Sequence, residues 1–221
     1  MRRIISILLL ILPLTVFSQR SNEIQIRAGG GIGIYKTESK LSYSFGGVSV
    51  SADTTDGAAT AHVPIELRYE VSSRFNLGID MKFGKYLQDE ADKNAGNSNK
   101  FTIIGLGFEG TLLSNEDSRV FIGAGFNSGS LEMRDESTSG TTTYTEVAKW
   151  KGGGFRVNVG TLFFIANGPI GFNLNLGYDQ HTFKLDSFTR DGDTQDISNI
   201  EGTLKVGGVE LNAGLVFRIM P

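Results

Sequence analysis

The sequence of 221 residues contains no cysteine, so a disulfide framework and a lipid anchor carried on a cysteine are both excluded. Only 4 prolines occur. Beyond residue 16 no stretch comes near 18 consecutive apolar residues, which excludes a further transmembrane helix. Spanning by strands stays open, because a closed barrel satisfies its own backbone. The net charge is −3 and the basic residues form no stripe, so nothing in the charge recommends nucleic acid as a partner. Zinc-ligand spacings, a Walker motif and a dinucleotide fingerprint are missing as well, so no cofactor and no metal is expected.

What is present begins at the start of the chain. Arg2 and Arg3 precede the apolar run Ile4–Val16, "IISILLLILPLTV", and the small residue Ser18 follows. That order describes a secretory signal peptide. The run is shorter than the roughly 20 residues of a membrane-spanning helix. Cleavage is expected after Ser18, with residues 1–18 removed and 19–221 forming a single domain.

The excess of glycine, 29 residues, shows first in "IQIRAGGGIGIYK", from Ile24 to Lys36. A phosphate cradle needs Gly-x-x-x-x-Gly-Lys before a helix, and this stretch offers neither. Its period is two. Ile24, Ile26, Ala28, Gly30, Ile32 and Ile34 alternate with Glu23, Gln25, Arg27, Gly29, Gly31, Gly33 and Tyr35. Such alternation marks a half-buried strand. Seven further stretches repeat it, at about 61–71, 75–83, 102–112, 120–126, 155–165, 170–178 and 209–219.

The connections alternate in length. Three are short, around Ser72–Arg74, around Ser114–Arg119, and at Ala166–Pro169 with the hairpin pair Asn167-Gly168. Four read as long polar loops rich in Ser, Thr, Asp and Gly, at roughly 37–60, 86–99, 131–147 and 182–203. A meander with one smooth rim and one elaborate rim is the pattern of an outer-membrane barrel. The apolar set carries no Asp, Glu, Lys or Arg on any strand, and it is too bulky to fit inside eight strands. It therefore faces lipid, and the glycine-rich set faces the lumen. Tyr69, Phe75, Phe83, Phe163, Tyr178 and Phe217 fall at strand ends, where interfacial girdles are expected. The expected fold is all-β, an eight-stranded antiparallel up-and-down transmembrane β-barrel.

On these features the chain resembles the small bacterial outer-membrane β-barrels of the OmpA and OmpX type. The resemblance covers the whole of residues 19–221 and is one of architecture rather than of a diagnostic motif. It implies a place in the Gram-negative outer membrane, contact with outer-membrane lipids, and insertion by the outer-membrane assembly machinery. Members usually end on an aromatic residue; here Phe217 stands close to the end and the chain finishes "RIMP".

The lumen parity collects Arg27, Glu66, Arg68, Asp80, Lys82, Glu109, Arg156 and Glu210. Four acids and four bases at middle depths are expected to neutralise one another as a structural charge network, because unpaired buried charges are costly. Phe121, Leu162, Phe164 and Val216 point inward near the short-turn rim, and Tyr35, Tyr86, Phe101 and Ile103 near the other. A wide pore is not expected from so few strands. Lipid-modifying barrels use a histidine with a serine or an acid. His62 and His181 have inward parity, but no spacing ties them to Asp186 or Ser187, so no enzyme is expected. The segment "RDGDTQD", with Asp191, Asp193 and Asp196, lacks the glycine and distal glutamate of a calcium loop. The expected role is structural or interactive: membrane integrity, and adhesion or partner binding through the loops to something outside the cell. A narrow route for small solutes or laterally entering apolar molecules is the alternative. A monomer is expected.

Overall fold

The computed structural model describes residues 23–87, 96–139 and 142–219; the expected signal segment lies outside them. The described chain forms β1 (Ile24–Phe45), β2 (Val48–Ser72), β3 (Phe75–Tyr86), β4 (Ser98–Ser114), β5 (Ser118–Ser139), β6 (Thr142–Phe164), β7 (Ile170–Arg190), β8 (Asp193–Thr194) and β9 (Ile200–Ile219). Each long strand pairs antiparallel with its neighbours, and the β1–β9 and β6–β7 ladders close the ring. The two-residue β8 pairs only with the end of β7, so eight strands make the wall.

Paired residues followed once around the wall run from Ile34 through Val209, Tyr178, Val157, Ala124, Phe108, Leu77 and Tyr69 to Ile24. The circuit returns to β1 ten residues lower, the stagger that closure with tilted strands demands. With a rise of about 3.3 Å per residue and a tilt of about 40°, the step from Ile24 to Ile34 climbs about 25 Å. That height is the apolar band of a transmembrane barrel.

Face assignment follows the alternation. Ile34 and Phe126 on the outer face are 77% and 71% exposed, whereas Arg27 and Glu109 are 1% exposed. Each of the eight wall strands turns one row of apolar side chains outside within this band, and among the described residues no Asp, Glu, Lys or Arg joins that row. A packed apolar interior, as in a soluble carrier, would reverse these values.

Three of the four stretches expected as long loops are largely strand. Residues 37–45 and 48–60 form one continuous hairpin turned by Gly46 and Gly47, at φ 58° and 83°. A two-residue turn with both φ positive matches the strand twist, and glycine tolerates both positions. β5 and β6 continue to Ser139 and from Thr142, and β7 runs to Arg190 before the Asp191–Gly192 turn. Of the fourth stretch, 88–95 lies outside the described residues. The opposite rim keeps its short turns. There the left-handed residues are Ala166 and Asn167 rather than Asn167 and Gly168. Asn167 is held by Arg218, whose guanidinium reaches its Oδ1 at 2.6 Å, and its N–H donates to Asp117 at 2.8 Å, which shifts the turn by one residue.

Candidate functional site

Five strands aim the acids of the lumen at bases on others. Arg27 on β1 grips Glu109 on β4 with both terminal nitrogens, at 2.7 and 2.8 Å, and touches Glu66 on β2 at 3.2 Å. Such fork-on-fork pairing is the strongest ion-pair geometry available to a carboxylate. Arg68 donates to the same Glu109 at 2.9 Å and forms an ion pair with Asp80 at 2.5 Å. Arg156 on β6 joins Glu66 and Glu210, each at 3.2 Å, and Lys82 on β3 bonds Glu210 and Asp179. The structure thus brings all eight sequence-selected residues together in one band of depth.

Room for this network comes from glycine. A Cβ on Gly107 would lie 2.5 Å from Asp80 Oδ2 and 3.0 Å from Arg68 Nη2, and one on Gly31 would strike Asn212 and His62. Residues bare of side chains thus stand where the bulky pairs of neighbouring strands cross the axis.

Sequence reasoning omitted several members. Asp179 makes the acids five against four bases, and Gln25, Asn175 and Asn212 add hydrogen bonds to Arg27, Arg156 and Glu210. A second ionic knot, Arg119 with Glu23 at 2.9 Å and Glu70 at 2.8 Å, closes the short-turn rim. Asp179, Glu23 and Glu70 share the inward parity of their strands, which is the signal that could have found them.

Apolar layers lie on both sides of the charges. Phe121, Leu162, Phe164 and Val216 pack together toward the short turns, with Arg27 stacked 4.9 Å above the Phe121 ring. On the other side Tyr35, Phe101, Ile103, Leu131, Trp150, Phe183, Leu204 and Val206 form the larger cluster. Between the layers the cavities have volumes of about 20, 10 and 10 Å³, room for single waters. Above the larger cluster the lumen opens into a mouth of about 570 Å³ between Thr37, Asp56, Tyr86, Asn99, Met133 and Trp150.

The histidines belong to the packing. His62 Nε2 donates to Asn212 Oδ1 at 2.7 Å and lies 3.5 Å from Glu210, while His181 stacks on Phe183. Asp186, considered as a partner for them, faces outward and pairs with Lys151 at 2.9 Å. In the "RDGDTQD" segment Asp191 accepts from the Thr145 N–H and Asp196 from the Ser198 N–H. That Ser198 bond holds the exposed Asp196 carboxyl below its ordinary pKa.

This lipid-faced wall agrees with the comparisons to known proteins. The model of the family described as "Outer membrane protein beta-barrel domain" matches residues 4–217. The chain belongs to that family. Its place is the outer membrane. Among solved structures, the outer membrane protein OprG of Pseudomonas aeruginosa is similar at a TM-score of 0.58 and 10% identity, covering 92% of this chain and 98% of that one. AlkL, solved in lipid bilayers, is similar at 0.50 and 14%, covering 92% and 94%. At these identities the likeness is one of fold. No curated protein matches the chain.

Proposed function

We propose that this family member is a closed, non-enzymatic barrel that strengthens the outer membrane and presents its raised hairpins to a partner outside the cell. The observation that carries the reading is the filled lumen, shut by two apolar layers and the charge network between them. The wall meanwhile rises well past the lipid band. At its summit the axis-side face of the β1–β2 hairpin carries Leu41, Tyr43, Phe45, Val48 and Val50, all exposed and none needed to close the barrel. In planar bilayers the purified protein is expected to be electrically silent. Steady conductance that vanishes in Arg68→Ala would replace this reading by a gated channel. A deletion strain is expected to keep its lipid A profile and to lose surface adhesion; the opposite result would revive an enzyme.

A second reading, lateral entry of apolar molecules, is favoured by one break in the wall. The β1–β2 ladder pairs Ala28 with Ile65 and Gly31 with His62, but skips Gly29 and Gly30 opposite Pro64 and Val63. Proline has no N–H to give there. Uptake of an apolar dye that drops in Pro64→Val would support this route; equal uptake would dismiss it.

A further inference from the structure

On six of the eight wall strands, the first charged residue above the apolar band on the outer face is a lysine: Lys36, Lys85, Lys100, Lys151, Lys184 and Lys205. They stand at the end opposite the short turns, which in outer-membrane barrels is the end bathed by the outer leaflet. Two pairs of them face each other directly across strands, Lys151 with Lys184 and Lys85 with Lys100. Like charges so placed repel. On β6 and β7 the repulsion is relieved, because Asp186 lies 2.9 Å from Lys151. Neither Lys85 nor Lys100 has an ion-pair partner among the described residues.

Below this second pair the outer surface is hollow. A depression of about 790 Å³ spans β9, β1, β2, β3 and β4, with Gly30, Ala61 and Ala213 as its floor and Ile32, Val63 and Phe83 among its walls. Lys85 follows Phe83 by one outward step on β3, so the two ammonium groups sit on the upper rim of an apolar trough. We propose that this trough is a binding site for a phosphorylated lipid of the outer leaflet, lipid A by its chemistry, with one acyl chain over Gly30 and Ala61 and a phosphate between Lys85 and Lys100. A phosphate there replaces a repulsive pair by two charge-assisted contacts, and the bare Gly30 and the short methyl of Ala61 make room for the chain. The site is independent of the closed-barrel reading, since it opens on the outer surface, whereas it shares Gly30 and Val63 with the lateral route.

The test uses the full barrel in phosphatidylcholine nanodiscs, titrated with bis-phosphorylated lipid A and followed by native mass spectrometry. Wild type is expected to retain the lipid, and Lys85→Gln/Lys100→Gln to weaken it about tenfold, two lost charge-assisted contacts. Lys85→Arg/Lys100→Arg keeps both charges and is expected to hold it. Gly30→Leu fills the trough into open space, since an added Cβ there meets nothing within 4 Å, and is expected to weaken binding with both lysines intact. Heat-shifted gel migration verifies that each variant is folded. Undiminished binding by the double Gln variant overturns the site, as does equal binding of dephosphorylated lipid A. Equal loss in Lys151→Gln/Lys184→Gln would reduce it to a general effect of the lysine collar and overturns it too. Displacement by inorganic phosphate at matching concentration would make it a free-anion site and likewise ends the lipid assignment.

Discussion

Below and above the level of Ile34, the same strands present opposite faces. Within the lipid band β1 sets Ile26 and Ile32 outside and Arg27 inside; above it the strand sets Lys36, Glu38 and Lys40 outside and Tyr35, Leu41 and Tyr43 toward the axis. β7 and β9 do the same, exchanging Leu176 and Leu211 outside for Lys184 and Lys205, and Asp179 and Glu210 inside for Phe183, Leu204 and Val206. The inversion follows the solvent. Lipid requires an apolar exterior and leaves polar groups only the lumen, while water outside returns the wall to the pattern of a soluble sheet with its apolar side inward. One barrel is therefore held by two kinds of interior, a charge network resting on a small apolar layer in the membrane and a larger apolar cluster toward the mouth.

The sharpest way to break the ionic half is Glu109→Ala. It leaves the guanidinium groups of Arg27 and Arg68 without their shared carboxylate in a site 1% exposed. A loss of about 3 kcal/mol is expected, the low end for a buried ion pair broken from one side, because Glu66 and Asp80 still face the two guanidinium groups. The urea midpoint of the folded barrel on unheated gels reads it, and a loss under about 1 kcal/mol would mean that water replaces the carboxylate. Next in size comes a charge on the wrong face. Leu106→Lys, in the middle of the lipid band, is expected to cost about 2–4 kcal/mol. The same lysine at Ser130, on the outer face of β5 above the band, should change stability by no more than about 0.5 kcal/mol. Equal costs at the two positions would erase the boundary at Ile34.

The apolar half is tested by Leu131→Ala. Leu131 is fully buried opposite Trp150, the sole tryptophan of the chain. Truncation is expected to cost about 2 kcal/mol, at the low end for a buried leucine because the mouth above can relax. Trp150 fluorescence should respond at lower urea than gel migration, since the upper wall opens first. Coincident transitions would show one cooperative unit instead.

The two halves differed equally in how far the sequence disclosed them. In the membrane, parity placed every apolar side chain of eight strands, because lipid tolerates no charge on one whole face and the signal repeats in each strand. Parity also found Arg27, Glu66 and Glu109, but not that Arg27 meets Glu109, 82 residues away. That partnership depends on the ten-residue stagger, which no single strand encodes. Above the membrane, Ser, Thr, Asp and Gly on the wet face of 48–60, and Glu132, Arg134, Glu136 and the threonines on that of β5 and β6, imitate loop composition. The apolar alternation beneath them, Val48, Val50 and Ala52 or Leu131 and Met133, was the strand signal. It is weaker because only a narrow axis has to be filled. The lysines of the rim were visible by parity too, yet their meaning depends on the height of each strand, which follows from the stagger.

The smallest effect on stability is expected where the upper face stops being interior. Phe45 is 70% exposed at the tip of the β1–β2 hairpin, although it shares the parity of the buried Tyr35. Phe45→Ser should leave the urea midpoint within about 0.5 kcal/mol, the range of surface changes. If the hairpin face is held for a partner, the same substitution should lower adhesion of cells carrying the protein while the barrel stays folded. A substantial drop in stability would instead mean that Phe45 folds back onto the mouth and belongs to the apolar layer with Trp150. The axis-side face would then be interior to its very end, and the contrast between the two levels would be complete without any partner.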